Sequence, residues 1–265
     1  FQYGANDRQT GNHCHMAKIL ITGMSGLIGT AFAKQISSEH NITALNRSHI
    51  ADTPTIRADI SEYEAIRPAF DGIDTVVHLA AKAGDQFTWD ELLKTNIEGT
   101  RNVYEAAADA NCQRVIFASS GATVSGWESV EPYKSIAEGN YDAAPDAWDM
   151  IKVDAPTRPA GIYGSTKVWG EALGRYYSDT KNLSVLNIRL GYVNAEDKPK
   201  GNRAYSIWCS QRDITHALTL AVNAKENVRF DTFFVNSNNK WGYRDLEHTR
   251  DILGFIPQDH AEEYR

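Results

Sequence analysis

Cysteine is scarce: the 265-residue chain holds three, Cys14, Cys112 and Cys209. None stands in a C-x-x-C pair and the number is odd, which argues against a disulfide framework and for a reducing, cytoplasmic setting. No apolar run approaches the ~20 residues of a membrane-spanning helix, and no signal-peptide pattern is visible. Basic residues are in the minority, 27 Lys and Arg against 34 Asp and Glu, for a formal net charge of -7. That balance argues against nucleic acid or an anionic membrane as the main partner, while a local basic pocket for a phosphate or carboxylate stays open.

What is present is a core-forming composition, 42% hydrophobic and 10% aromatic. It suffices for one large domain, or one domain with a small appendage. Residues 1–15 are polar and without period, and Met16 opens a clean strand. His15-Met16 is also the dipeptide left by a common cloning site. The expectation is that Met16 is the natural start and that 1–15 are a cloning remnant, extended or without order. On that reading His13, Cys14 and His15 are not metal ligands, and no metal site is expected.

From Met16 onward, strands and helices alternate. Lys18–Thr22, Ile42–Leu45, Ile56–Asp59, Thr75–Leu79 and Arg114–Ala118 read as strands. Leu27–Ser38 reads as a helix with Leu27, Ile28, Phe32 and Ile36 on its apolar face; Glu62–Phe70 and Trp89–Ala110 read as two more. The strands are continuous apolar runs, as expected when helices cover both faces of a parallel sheet. Gly121–Pro159 is rich in Pro, Asp, Ala and Trp and predicts a long functional connection. A helix over Gly164–Ser178, a strand at Val185–Leu190, an irregular stretch Gly191–Ser210, a helix Asp213–Ala224, a strand Thr232–Val235 and a helix Tyr243–Leu253 follow. The expected architecture is α/β, a Rossmann-type doubly wound parallel sheet forming a single domain over 16–265. A small C-terminal substrate lobe, built from about 121–160, 191–212 and 236–265, is expected to lie over the strand ends.

Thr22-Gly23-Met24-Ser25-Gly26-Leu27-Ile28-Gly29 lies between the first strand and the first helix. Glycines there permit a tight turn, close approach of a pyrophosphate and close helix–strand packing, and the helix start offers free N–H groups to phosphate. Asp59 follows a strand and can either accept from an adenine amino group or cap the helix beginning near Ser61. The second strand ends Leu45-Asn46-Arg47-Ser48 without the acid that binds a ribose 2′-hydroxyl. Asn46 suits either ribose and Arg47 a 2′-phosphate, so the cofactor is NAD or NADP with a lean to NADP; a solvated surface Arg47 is the alternative.

Tyr163 and Lys167 stand four residues apart, on one face of a helix. Such spacing is common by chance; the glycine turn upstream and Ser120 at a strand end give it meaning. A lysine cation and a positive nicotinamide ring both favour phenolate, and Ser120 can bond the same substrate oxygen. Together these groups can deprotonate a hydroxyl whose carbon gives up hydride.

With these residues in place the sequence resembles the extended short-chain dehydrogenase/reductase family, in its NAD-dependent epimerase/dehydratase group. The motifs are the glycine turn, Asp59-Ile60, His78-Leu79-Ala80-Ala81, Asn96-Ile97-Glu98-Gly99-Thr100, Ala118-Ser119-Ser120 and Tyr163-x-x-x-Lys167. The resemblance implies that Gly23, Ser25, Gly26, Leu27, Ile28, Gly29, Asn46, Arg47, Asp59, Ile60, Leu79, Ala80 and Ala81 hold the dinucleotide, with Asn96 supporting the site. Ser120, Tyr163 and Lys167 would be the catalytic trio.

The chain is most similar to the uronate dehydrogenase and small hexose dehydrogenase branch, through Tyr163–Glu171, Ile188-Arg189-Leu190-Gly191 and Trp208-Cys209-Ser210-x-x-Asp213. That branch oxidises C1 of a cyclic sugar to a lactone. Its substrate-anion arginine corresponds to Arg203, a candidate clamp for carboxylate or phosphate; a loop arginine in a surface ion pair is the alternative. The pocket departs from the branch. Gly121-Ala122-Thr123 replaces Asn-His after the serine, Tyr192 stands where a serine is expected, and Lys82-Ala83 replaces small polar residues. Gly121, Ala122, Tyr192 and Arg203 are thus substrate-site candidates for a sugar or polyol that need not be a uronate.

Among the tryptophans, Trp148 is the best candidate to stack on a sugar, since it lies in the long connection. His78 reads as a satisfied core histidine. The helices from Trp89 and Gly164 carry surplus apolar faces, which the resemblance implies pair in a homodimer. The leading expectation is a sugar 1-dehydrogenase; the alternatives are a nucleotide-sugar epimerase or dehydratase, and a non-catalytic dinucleotide-binding redox sensor.

Overall fold

The computed structural model describes residues 16–265; the reading of 1–15 as a cloning remnant lies outside the described residues. Seven strands form a single sheet, all parallel, in the order β3-β2-β1-β4-β5-β6-β7. In chain order they are β1 Lys18–Thr22, β2 Asn41–Asn46, β3 Thr55–Arg57, β4 Thr75–His78, β5 Arg114–Ser120, β6 Ser184–Leu190 and β7 Phe230–Val235. This is the expected doubly wound sheet, and the strand order reverses between β1 and β4. There the carboxyl ends part and open a crevice.

The strands are buried because their residues are apolar on both faces. Ile19, Leu20 and Ile21 of β1, Val76 and Val77 of β4, and Val115 and Ile116 of β5 have no exposed surface. Each such side chain contributes about 1.5–3 kcal/mol on burial. One layer is supplied by α1 (Leu27–Ile36), whose Phe32, Ala33 and Ile36 pack in one core cluster with Ile214 and Leu218 from the helix Gln211–Val222. Leu27, expected on the buried face, is 38% exposed at the helix start. The other layer is built on Val103, Tyr104 and Tyr177.

The expected helix Trp89–Ala110 is interrupted. Helical turns at Trp89–Leu92 and Thr100–Asp109 flank a π-helical stretch, Leu93–Gly99, that contains Asn96. The helix after the long connection runs Ile162–Thr180; it is called the Tyr163 helix below.

The long connection Gly121–Pro159 carries short structure of its own: Gly121–Ser129 winds as a 3-10 helix and Tyr133–Glu138 as a short α-helix. One expectation in the lobe fails: the last helix does not begin at Tyr243. It spans Glu247–Leu253, while Arg244 bridges to Ile151 in extended backbone. The physical reason is non-local: Ile151 N–H donates to Tyr243 O and Asp245 N–H to Ile151 O, which removes those groups from a helical ladder. A third apolar cluster, with Val124, Ile136, Ile151, Ile207, Phe234 and Tyr243, ties these segments to the end of β7.

Candidate active site

The glycine turn sits at the strand-order reversal. Gly23 has φ +70°, and a Cβ there would lie 2.7 Å from the Ala80 backbone. Gly26 precedes α1 with no side chain capping the helix, so its first N–H groups remain free for an anion. Gly29 is buried against Met24, where a Cβ would come within 2.7 Å of backbone atoms.

Beside the turn opens a cleft of about 570 Å³, lined by Gly23, Ser25, Gly26, Asn46, Arg47, Asp59, Ile60, Leu79, Ala80 and Ala81 among others. Its shape, free N–H groups and glycine floor fit a dinucleotide. Leu27 and Ile28 are not among its lining residues. Lys82 and Thr95 are, and sequence reasoning did not single them out for this role.

Side chains around the cleft are held by short-range bonds. Ser25 Oγ donates to Asn46 Oδ1 at 3.1 Å, and Asn46 Nδ2 donates to Ser48 O at 3.0 Å. Asp59 Oδ1 accepts from both N–H and Oγ of Ser61, at 3.0 and 2.8 Å. Partial burial would raise that carboxyl; the Ser61 bonds, with Lys94 and Arg47 nearby, bring it below its ordinary value. The helix it was expected to cap begins at Tyr63, with Glu62 at its N-cap and no side-chain capping bond; Asp59 instead braces Ser61 and lines the cleft.

Asn96 is not at the wall. Its Oδ1 accepts from Lys82 N at 2.8 Å, and its Nδ2 donates to Lys82 O and Thr166 Oγ1 at 3.0 and 3.1 Å. The π-helical turn thus aims a buried amide that ties the segment after β4 to the Tyr163 helix.

β5 ends at Ser120, and the Tyr163 helix delivers its first turns beside it. Ser120 Oγ accepts from Ala122 N at 3.1 Å, which leaves its proton free to donate. Ser120 lies near enough to the Tyr163 phenol to favour its ionised form. Lys167 Nζ donates to Ala118 O at 2.6 Å and lies 5.8 Å from the Tyr163 ring centre. Burial pulls this amine down to about 7, opposed by the Glu171 carboxylate.

Burial also raises the Tyr163 phenol; the Ser120 hydroxyl opposes this and Asp85 adds to it. The lowering expected from a neighbouring lysine is therefore not the net result in the protein alone. Asp85, absent from the sequence reading, accepts from Tyr163 N–H at 2.8 Å and so meets the start of the helix.

His78 is buried, with Nδ1 2.7 Å from Thr22 Oγ1 and Nε2 3.1 Å from Thr100 Oγ1. Burial, reinforced by Lys167, pushes it down to about 3. It is a neutral core histidine.

The expected substrate residues are dispersed. Gly121 and Ala122 follow Ser120 directly. Tyr192 is half-buried, with its backbone paired between Ile207 and Cys209. Arg203 is bound to Glu128 through Nε and Nη2 at 2.5 and 2.9 Å, the ion-pair alternative of the sequence reading. Trp148 stacks on Trp241 at 5.8 Å and donates from Nε1 to Gly242 O. Arg244, which no motif marked, presses its guanidinium against Gly121 and donates to Gly121 O at 3.2 Å.

The parallel sheet, the glycine turn at its reversal and the Ser120–Tyr163–Lys167 grouping define an enzyme of the extended short-chain dehydrogenase/reductase class. The chain belongs to the NAD dependent epimerase/dehydratase family, whose model matches residues 19–236. An NAD-dependent glucose-6-phosphate dehydrogenase of Haloferax volcanii is 30% identical, over 93% of this chain and 95% of that protein. An L-arabinose 1-dehydrogenase (NAD(P)(+)) of the same organism is 32% identical, over 93% and 98%. A variant of uronate dehydrogenase from Agrobacterium tumefaciens, solved in complex with NAD, superposes with a TM-score of 0.79 at 25% identity, covering 94% of this chain and 88% of that one.

Proposed function

We propose that this enzyme is an NAD(P)+-dependent sugar 1-dehydrogenase. It oxidises the C1 hydroxyl of a cyclic sugar to a lactone and releases NAD(P)H. The observation that carries the reading is the meeting of Ser120, Tyr163 and Lys167 beside a cleft that fits a dinucleotide. The sugar dehydrogenases among its relatives support the substrate class.

Bound NAD(P)+ supplies the two-electron acceptor at C1. Ser120 Oγ, already accepting from Ala122 N–H, donates to the C1 oxygen and orients it. Tyr163 Oη takes the proton of that hydroxyl. The Lys167 ammonium, fixed by Ala118 O, stabilises the phenolate form on which this transfer depends. Asn96 holds the Lys82 backbone and Thr166 in register and acts as a positioning residue.

NADP+ is the favoured coenzyme in this reading. Arg47 is exposed at the cleft rim, with no carboxylate bonded to it among the described residues, and suits a 2′-phosphate. A homodimer in a reducing cytoplasm completes the proposal. Trp89, Leu93, Ile162 and Tyr176 expose large apolar side chains on the helices expected to pair, and Cys112 and Cys209 are buried free thiols. No helix of the described residues is long and apolar enough to cross a membrane.

The test is cofactor reduction. The protein is incubated with NAD+ or NADP+ and a panel of aldoses, uronates, sugar phosphates and nucleotide sugars, and absorbance of the reduced nicotinamide is followed. Steady growth with a free sugar is expected. Conversion of a nucleotide sugar without net reduction would make the protein an epimerase or dehydratase. Tight cofactor binding without any turnover would make it a sensor.

A further inference from the structure

Arg244 is a buried guanidinium with too few partners. It is 4% exposed, and of its five N–H donors one makes a hydrogen bond to protein among the described residues, to Gly121 O. Nε is buried with no partner. The Glu128 carboxylate is 3.8 Å away and is already bound by Arg203. Two guanidinium groups therefore share one carboxylate, and the group retains one positive charge in excess. Arg189, also close by, is matched by Glu171. The carboxylate of Asp245 accepts from Glu247 N–H. Leaving a buried charge short of partners destabilises the fold, a cost that proteins retain where a ligand completes the site.

The position of this charge matters. A side chain at 121 would overlap the guanidinium, so Gly121 admits Arg244 to a place directly after Ser120. Arg244 also lines a cavity of about 630 Å³ at the end of β7, with Trp148, Ser206, Asn236 and Phe255. Ser206 Oγ and Asn236 Oδ1 are likewise buried without partners. The charges lining the cavity balance, Lys152, Arg244 and Arg250 against Asp149, Asp245 and Glu247, but Asp245 makes no ion pair with Arg244 among the described residues, so the unmet donors of Arg244 mark the site.

We propose that Arg244 binds an acidic group on the sugar, carboxylate or phosphate, and makes an anionic sugar the preferred substrate. A guanidinium fork matches either group with paired hydrogen bonds. With C1 at Ser120 and Tyr163, the acidic group lies toward the end of β7. Arg203, which Glu128 already neutralises, is not the clamp. This inference rests on the dehydrogenase reading above.

The test compares kcat/KM for glucose, glucuronate and glucose 6-phosphate, with arabinose as a neutral pentose. The expected result is a preference of tenfold or more, about 1.4 kcal/mol, for the uronate or the phosphate over the neutral sugars; which of the two wins identifies the acidic group. Arg244→Met should erase that preference, chiefly through KM, and Arg244→Lys should restore part of it. If Arg244→Met fails to fold, Gly121→Ala, which displaces the guanidinium, should give the same loss. A wild-type preference for neutral sugar, or an acid preference untouched in the folded variants, would overturn the inference while leaving the dehydrogenase reading intact. If no sugar reduces the cofactor, that reading fails. Calorimetry with glucuronate and glucose 6-phosphate then decides: binding lost in the folded variant upholds Arg244, and no binding to wild type overturns it.

Discussion

Glu171, one helical turn beyond Lys167, grips Arg189 of β6 through two parallel hydrogen bonds of 2.8 Å. Ser119 Oγ adds a third to the same carboxylate at 2.5 Å. The two side chains are 9% and 5% exposed, so neither charge can turn to water if the other is lost. Removing one partner from such a pair costs about 3–5 kcal/mol. Glu171→Ala and Arg189→Ala should each lower the unfolding free energy by roughly that much, read from urea denaturation. The double variant should lose clearly less than the sum. Strictly additive losses would show that the pair is not coupled.

Lys167 makes stability depend on pH. Its folded-state value is about 7 against an ordinary 10.5, so the unfolded chain binds more protons between those limits. Unfolding free energy should therefore rise with pH from about 7 upward; below it both states hold the proton and the burial penalty is fully present. Comparing denaturation from pH 6 to about 9.5, still below the tyrosine range, the wild type should gain stability that Lys167→Met does not. Equal slopes would mean that the amine is not depressed.

Tyr163→Phe removes one oxygen and keeps the ring and the helix. Turnover should fall by about 10³-fold or more, while the cofactor dissociation constant should stay within roughly threefold, since the dinucleotide cleft is lined by other residues. Fluorescence titration with NAD(P)H beside the turnover assay reads both. Activity near wild type would remove Tyr163 from the proton path.

The parts legible in the sequence were those set by local pattern. β1, β4 and β5 are uninterrupted apolar runs, and the Gly23–Gly29 turn joins a strand to a helix within a dozen residues. Tyr163 and Lys167 share a face by helical period alone. What escaped depends on contacts distant in the chain. Arg203 meets Glu128 from 75 residues away, and Arg244 reaches Gly121 from 123 away. The backbone around Arg244 is drawn out of the expected helix by Ile151. Asn96 was marked by its motif, but its actual partners follow from a π-helical turn that no periodicity announces. The rise of the Tyr163 phenol is set by burial, a property of the assembled fold.

Gly23 and Gly26 should fail differently. At Gly23 an added Cβ meets the Ala80 backbone at 2.7 Å and φ is +70°, so Gly23→Ala should destabilise the fold by about 2 kcal/mol or more. At Gly26 the nearest such contact is Gly23 O at 3.3 Å, and no other lies within 4 Å. Since Gly26 lines the cleft, its added methyl points where the pyrophosphate would approach. Gly26→Ala should melt within a few degrees of wild type yet bind NAD(P)H at least tenfold more weakly, about 1.4 kcal/mol. Retained affinity in Gly26→Ala would place the phosphates elsewhere.

The proposed reading of the coenzyme by Arg47 has a direct test. Arg47 stands on the cleft rim two residues beyond Leu45, where no acid is available to hold a ribose 2′-hydroxyl. Asp59, the nearby acid of the cleft, is engaged by Ser61 and sits within electrostatic reach of Arg47. A 2′-phosphate adds about -1.5 to -2 of charge near neutral pH, and a guanidinium meets it with two parallel donors. Arg47→Ala should therefore lower kcat/KM for NADP+ by about tenfold or more, in line with a charge-assisted pair, and change that for NAD+ by less than roughly threefold. Because the site is exposed, the wild-type preference for NADP+ should weaken between low and physiological salt, and the variant should not show that dependence. Equal losses for the two coenzymes would mean that Arg47 shapes the cleft without reading the phosphate.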